Sequence, residues 1–310
     1  MKTLVTSLAI ALGTLALLIQ PAQAAQRTFV STSGNDANTI SNCGPTTPCR
    51  GFGAALGVTD PGGEILAVSS GGYGAVTLNK SVSIIAAPGV YAGLSVFSGS
   101  GITIGTASVS VVLRGLTING LGGSSGISMT NGSKLSVENC VISNFTGGQG
   151  IDISTAATVR IVDTLLRDNG TGISVRYGAT ADISNTKLVG NTYGIWTEGV
   201  AAGTTTTSVS DSVVTGSGTA GISAVGSLAG ATARSEVIRT TVSNGGVGVA
   251  AQATAGTSVM TLSESMVSGN TTGLMQSQTG GTATFNSLVN NTVADNGTAS
   301  SGTIASLAAM

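Results

Sequence analysis

Apolar positions recur along this chain at a long and nearly constant spacing. A Gly followed by an aliphatic residue appears as Gly126-Ile127, Gly150-Ile151, Gly172-Ile173, Gly194-Ile195, Gly221-Ile222, Gly248-Val249 and Gly273-Leu274. The spacings are 24, 22, 22, 27, 27 and 25 residues. A second column keeps step at Ile142, Leu166, Leu188, Val214, Val242, Val267 and Val289. A third precedes it at Val137, Ile161, Ile183, Val209, Val237 and Leu262, with Thr284 in the last place. Periods of this size mark a solenoid, in which each repeat buries its apolar face only against its neighbours. Inside each period the pattern alternates every second residue, as in β-strands. Ile127 and Met129 are expected to point inward while Ser128 and Thr130 point out; Leu135 and Val137, then Cys140 and Ile142, supply two more inward pairs. Asn144, Asp168-Asn169, Asn191, Asn244, Asn270 and Asn291 occupy the turns that follow. Asn tolerates left-handed backbone, and its amide can bond its counterpart one rung away. The repeated Gly is expected at the other sharp corner.

The pattern therefore predicts an all-β parallel solenoid with three short strands per rung and about ten rungs. Helical repeats would need a 3.6-residue period and good helix formers. Propeller blades need four longer strands and a period of about 40 residues or more. Upstream of the regular repeats, Thr28–Ser31 reads as a strand, Ser33–Asp36 as a turn, and residues 50–58 as a short capping helix with Phe52, Ala55 and Leu56 on one face. Asp60–Gly63 reads as a turn, after which strands begin at Ile65, Ala75, Val82, Leu94 and Ile102. Residues 1–24 carry Lys2, an apolar run and Ala22-Gln23-Ala24, the pattern of a cleaved secretory signal. The expected organisation is a signal at 1–24, an N-terminal strand, cysteine loop and capping helix at 25–63, and the solenoid at 64–310. The product would be secreted or periplasmic.

Composition narrows the function. Of 310 residues, 47 are Gly, 8% are charged and 3% aromatic, and net charge is -1 with no basic run. A nucleic-acid partner needs a positive stripe, so none is expected. Mean hydropathy is +0.39, yet after the leader no apolar run is long enough to span a bilayer. Cys43 and Cys49 close a short loop and are read as a disulfide, with two free thiols as the other reading. The chain has no His and no further Cys pair, which disfavours a zinc site on Cys43 and Cys49 and excludes a Ser-His-Asp arrangement. Cys140 shares a column with Thr164, Thr186, Ser212, Thr240, Ser265 and Ser287 and is expected to be packed and inert.

The three-strand rung, the turn asparagines and the phrase Leu113-Arg-Gly-Leu-Thr-Ile-Asn-Gly120 resemble right-handed parallel β-helix proteins of the pectate-lyase-like superfamily. Phe29–Asp36 and Pro48–Ala55 resemble the entry module of secreted bacterial members. The resemblance implies the fold across residues 28–296. It implies no single function, because members include lyases, glycosidases, esterases, tailspikes and adhesins. The Asp-Asp pair and Gly-His-Gly of polygalacturonase-like members are absent, and the acids of the repeats stand singly. Calcium is implied only under a lyase reading, and no cofactor or metal site is expected otherwise.

The outward positions of the first strand of each rung are mostly small. Asp152, Arg176, Trp196 and Glu198 are the exception, with Tyr177 and Tyr193 in the adjoining turns. Trp196 is the only Trp, and an outward indole can stack on a sugar ring while Arg and carboxylates bond hydroxyls or uronates. The plainer alternative is a surface ion pair between Arg176 and Glu198 with Trp196 covering a turn. Asp152 and Glu198 sit two rungs apart, roughly 10 Å along the stack, which suits neither glycosidase geometry. Asp163, placed in the third strand, and Asp168, in the turn, read as turn-capping acids. The Ser and Thr content does not form the uniform rows that an ice-ordering surface needs. The expectation is a non-catalytic carbohydrate-binding or cell-surface structural or adhesion protein. The alternative is a polysaccharide lyase or glycoside hydrolase acting on an acidic, pectin-like polysaccharide.

Overall fold

The computed structural model describes residues 25–308; the expected signal at 1–24 lies outside them. Among the described residues the chain coils through three parallel sheets of 12, 10 and 10 strands. Each regular coil passes from a long sheet (for example Thr158–Val162) through a narrow sheet of short strands (Leu165–Arg167) to a face sheet (Thr171–Val175). The alternation expected from sequence holds. Ile127, Met129, Leu135, Val137 and Ile142 are all buried and line the interior, with their equivalents on later rungs stacked in register.

The repeated glycine has a different cause from the one expected. Gly172 is the second residue of its strand, not a left-handed corner, and a Cβ on it would lie 2.7 Å from the Gly194 carbonyl oxygen and 2.8 Å from Leu188 Cδ2. Equivalent approaches recur at Gly126, Gly150, Gly194, Gly221 and Gly248, each against the aliphatic residue that projects inward from the narrow sheet. The two columns that define the period are thus one contact, an aliphatic side chain filling the space a Cβ would need.

Both corners carry ladders. At the corner leaving the long sheet, Asn139, Asp163, Asn185, Asp211, Arg239 and Glu264 take φ between 46 and 51°. Asp163 therefore sits in the corner rather than in the third strand. The next residue is the small column that begins with Cys140, packed and unreactive there as expected, and its hydroxyl members also bond the backbone. Thr186 Oγ1 donates to the Ser184 carbonyl (3.0 Å), while its N–H donates to Ser212 Oγ (3.2 Å). Thr240 and Ser265 repeat the arrangement. At the corner entering the face sheet, the two properties expected of one Asn are divided between two residues. Left-handed φ falls at Asn144, Asp168, Gly190, Asn244, Gly269 and Asp295, whereas the amide ladder is carried one place later wherever that place is Asn, at Asn169, Asn191, Asn270 and Asn296. Asn169 Oδ1 accepts from Phe145 N–H (3.1 Å), and Asn169 Nδ2 donates to Asn191 Oδ1 (3.0 Å). Asn270 and Asn296 do the same further on. Paired buried amides satisfy backbone groups that a corner would otherwise strand.

The longer spacings correspond to longer strands. Face-sheet strands grow from five residues (Gln149–Ile153) to seven (Tyr193–Gly199, Ala220–Gly226, Val247–Ala253), and long-sheet strands reach eight (Gly203–Ser210, Ala231–Ile238). The added lengths pack the two sheets directly together through Ala224, Ala251, Ala233, Ser235 and Ser258, all buried. A Cβ at Gly226 would lie 2.6 Å from the Thr257 backbone, so the sheets touch there with no side chain between them.

At the N-terminal end, Ala25–Val30 adds a parallel strand to Thr59–Ala67, and helix Phe52–Val58 packs on both through Phe52, Ala55 and Leu56. Cys43 and Cys49 form a disulfide beside them. Asp60–Gly63, expected as a turn, is a bulge inside Thr59–Ala67. Pairing skips from Ala25–Thr59 to Arg27–Glu64, and Gly62 at φ 83° absorbs the bow. The 3-10 helix Asp36–Ser41, capped by Asn35 Oδ1 on the Ala37 N–H, was not expected.

The last rung corrects the columns. Val267 pairs with Val293, not Val289, and Leu262 pairs with Ser287, not Thr284. Val289 and Thr284 are exposed. Asn291 belongs to the hydroxyl corner, where its Oδ1 accepts from Ser265 N–H (2.9 Å) in the place assigned to Ser287. Its amide also binds the Leu262 and Leu288 carbonyls, both at 2.8 Å. Those bonds hold a short detour that the regular period did not allow for. Ile304–Leu307 continues the long sheet after it.

Candidate functional site

The candidate site lies on the outer surface of the face sheet. Period-2 alternation sends Ile173, Ile195 and Ile222 inward and therefore Ser174, Trp196 and Ser223 outward, stacked in register with Asp152 and Ser128. Two positions on, the outward row contains Ser154, Arg176 and Glu198.

Arg176 is held from one side. Its Nη2 donates to Asp152 Oδ1 (2.7 Å) and Ser154 Oγ (2.9 Å), and Ser154 Oγ donates to the same carboxylate at 3.1 Å. The pair is largely enclosed, with side chains 28% and 13% exposed, so solvent screens it less than the other ion pairs of the described residues. The ion pair considered from sequence, Arg176 with Glu198, does not form. Glu198 instead accepts from Trp196 Nε1 (3.2 Å) and from Ser227 Oγ (2.6 Å). Tyr193 meets the indole edge-on, with centroids 4.9 Å apart and planes at 74°. Each anchor limits the freedom of the ring, so the Trp196 platform is positioned before any ligand arrives.

A shallow depression of about 220 Å³ results, lined by Arg176, Tyr193, Trp196 and Glu198 together with Gln149, Thr171 and Ser174. Four of the six residues singled out in the sequence thus converge. Asp152 stands behind Arg176 as its counter-ion. Tyr177 lies in the left-handed turn beyond, at φ 56°, with its ring centroid 5.9 Å from the guanidinium carbon. Gln149 and Thr171 were legible in principle, because they stack in register with Tyr193 one place before the repeated Gly. Ser227, 29 residues from Glu198, carries no signal in the sequence. Ser223, in register with Trp196, holds a buried hydroxyl with no hydrogen-bond partner, and so does Arg176 Nε.

Other hollows offer less. One of about 500 Å³ lies against the Asp60–Gly63 bulge and is lined by Gln26, Asp60, Glu64 and turn backbone without an aromatic side chain. Another, at the hydroxyl corner, includes Cys140. Burial pushes that thiol up to about 11, and Sγ donates to the Glu138 carbonyl at 3.3 Å, so Cys140 is a ladder member and not a nucleophile. Among the described residues no three His, Cys, Asp or Glu side chains come together to hold a metal ion. Among them, too, no helix is long and apolar enough to cross a membrane.

A search of curated proteins finds no match to this chain. Among solved structures, a pectate lyase (Pel9A) superposes with a TM-score of 0.58 at 14% identity, covering 83% of this chain and 76% of the lyase. An alginate lyase of family PL6 (AlyGC) gives 0.50 at 12% identity, covering 91% of this chain and 39% of that one. At such identity the likeness is one of fold. The family model described as a right handed beta helix region matches residues 38–206, and with the three parallel sheets and stacked corners already described, the chain belongs to the right-handed β-helix family.

Proposed function

We propose that this protein is a secreted β-helix protein that binds a glycan on the face sheet without transforming it. The supporting observation is the Tyr193–Trp196 pair at the depression, with Glu198 fixed beside the indole. An apolar ring face flanked by hydrogen-bonding groups is the chemistry that takes a pyranose, whose C–H face stacks while its hydroxyls bond at the rim. Secretion is supported by the composition of residues 1–24 and by the Cys43–Cys49 disulfide, which suits an oxidising compartment.

The pectate and alginate lyases among the structural relatives raise eliminative cleavage of an acidic polysaccharide as the alternative. That chemistry needs a free base and, in calcium-dependent forms, a cluster of carboxylates. Here Arg176 is tied to Asp152 and Ser154, and the two carboxylates of the site are each engaged separately. Binding is therefore the better-supported reading.

A glycan array comparing the wild type with Trp196→Ala tests it. Binding by the wild type and its loss in the variant is the expected result. Equal signals would remove this face from the function. Release of unsaturated products from pectate or alginate by the wild type, abolished in Asp152→Asn, would replace the binding reading with the catalytic one.

A further inference from the structure

We infer that the ligand of this face is an uncharged sugar ring and that uronates are disfavoured, a conclusion that rests on the glycan-binding reading above. The charges decide it. Arg176 is the only cation that lines the depression, and its Nη2 is already committed to Asp152 Oδ1 at 2.7 Å and Ser154 Oγ at 2.9 Å. Asp152 lies behind it, outside the lining, and cancels its charge. Glu198 has no such cation. It accepts from the neutral donors Trp196 Nε1 and Ser227 Oγ, and no ion pair reaches it among the described residues. The indole edge and Glu198 therefore present one net negative charge at the place where a stacked sugar would set its substituents.

A hydroxymethyl group meeting that carboxylate donates a hydrogen bond to it, because an ionised carboxyl only accepts. A uronate carboxylate in the same place can donate nothing and meets a like charge. At a separation of about 5 Å near a protein surface, such repulsion amounts to at least a ten-fold loss of affinity.

The experiment uses the single Trp of the chain as its own reporter. Oligogalacturonate and oligoalginate are each compared with their carboxyl-reduced counterparts, so linkage and length stay constant and only the charge changes. Titration is followed by Trp196 fluorescence. The reduced oligomers should bind at least ten-fold more tightly than the parents. Glu198→Gln should narrow that gap to less than about three-fold. Added salt should strengthen binding of the uronates to the wild type and leave the neutral forms unchanged. Equal or tighter binding of the uronates by the wild type would overturn the inference and leave the glycan-binding reading intact. Failure of every oligomer, together with a blank glycan array, would remove that reading and this inference with it.

Discussion

Asn169→Ala is the sharpest test of how the corners hold the coil. Asn169 is 2% exposed and its side chain serves three partners. Oδ1 accepts from Phe145 N–H at 3.1 Å, and Nδ2 donates to the Ile142 carbonyl at 3.3 Å and to Asn191 Oδ1 at 3.0 Å. Each such bond contributes about 1 kcal/mol net, and a buried N–H left without a partner costs roughly 1–3 kcal/mol. Truncation should therefore destabilise by about 4–6 kcal/mol. Asn244→Ala is the matched control. Asn244 is exposed at φ 56°, and its amide makes only two bonds at 3.4 Å. Ala there meets mainly the left-handed backbone penalty, about 1–2 kcal/mol. Urea unfolding followed by Trp196 fluorescence reads the same region, because Trp196 pairs with Ser174 on the rung that Asn169 introduces. A solenoid can open in sections, so the denaturant slope must be unchanged for the comparison to stand. Amide exchange at Phe145 then localises the effect. A loss for Asn169→Ala no larger than for Asn244→Ala would refute the assignment of the ladder to buried hydrogen bonding.

Three further outcomes follow from the same geometry. Ser217 occupies the ladder place after Asn191, and its buried hydroxyl has no partner; Ser217→Asn should raise stability by about 1 kcal/mol, and a lower urea midpoint would show that the corner has no room. Gly172→Ala should destabilise by about 1–3 kcal/mol through the contacts with Gly194 and Leu188, outweighing the backbone entropy gain that Ala usually brings. Burial would raise the Glu138 carboxyl, but hydrogen bonds from Ser136 and Arg114 and the charges of Arg114 and Arg160 hold it below its ordinary 4.5; its contribution is complete above that value and fades as pH falls through the lowered one, so Glu138→Gln should flatten the acid limb of a melting-temperature profile.

The fold was legible because interior positions obey a strict geometric rule. A strand that buries one face must alternate, and a coil that stacks on itself must repeat, so the aliphatic columns registered six rungs correctly. Their failure at Val289 and Thr284 has the same origin. Once Asn291 replaces a hydroxyl at the corner, its longer side chain reaches the Leu262 and Leu288 carbonyls, and the chain makes its detour there. Periodicity extrapolates past such a change because it counts residues and not hydrogen bonds. The repeated Gly shows a different limit. Its presence was visible, but Gly serves left-handed corners and close approaches alike, and only the folded chain brings Leu188 Cδ2 to 2.8 Å from where a Cβ on Gly172 would be.

The site was legible only as far as alternation reaches. Alternation put Asp152, Arg176, Trp196 and Glu198 on one outer face, and that is where they lie. It could not choose partners, because Asp152 and Glu198 lie on the two rungs that flank Arg176, one on either side. The choice turns on Ser154, two residues from Asp152 and within 2.9 Å of Arg176 Nη2, which makes the N-terminal side of the guanidinium the better-bonded one. Once Arg176 turns that way, Glu198 is left to Trp196 and Ser227, and the unpaired negative charge falls beside the indole, where pairing of Arg176 with Glu198 would have left it at Asp152. On the proposed glycan-binding reading, the position of that unpaired charge, more than its amount, is what discriminates a neutral sugar from a uronate.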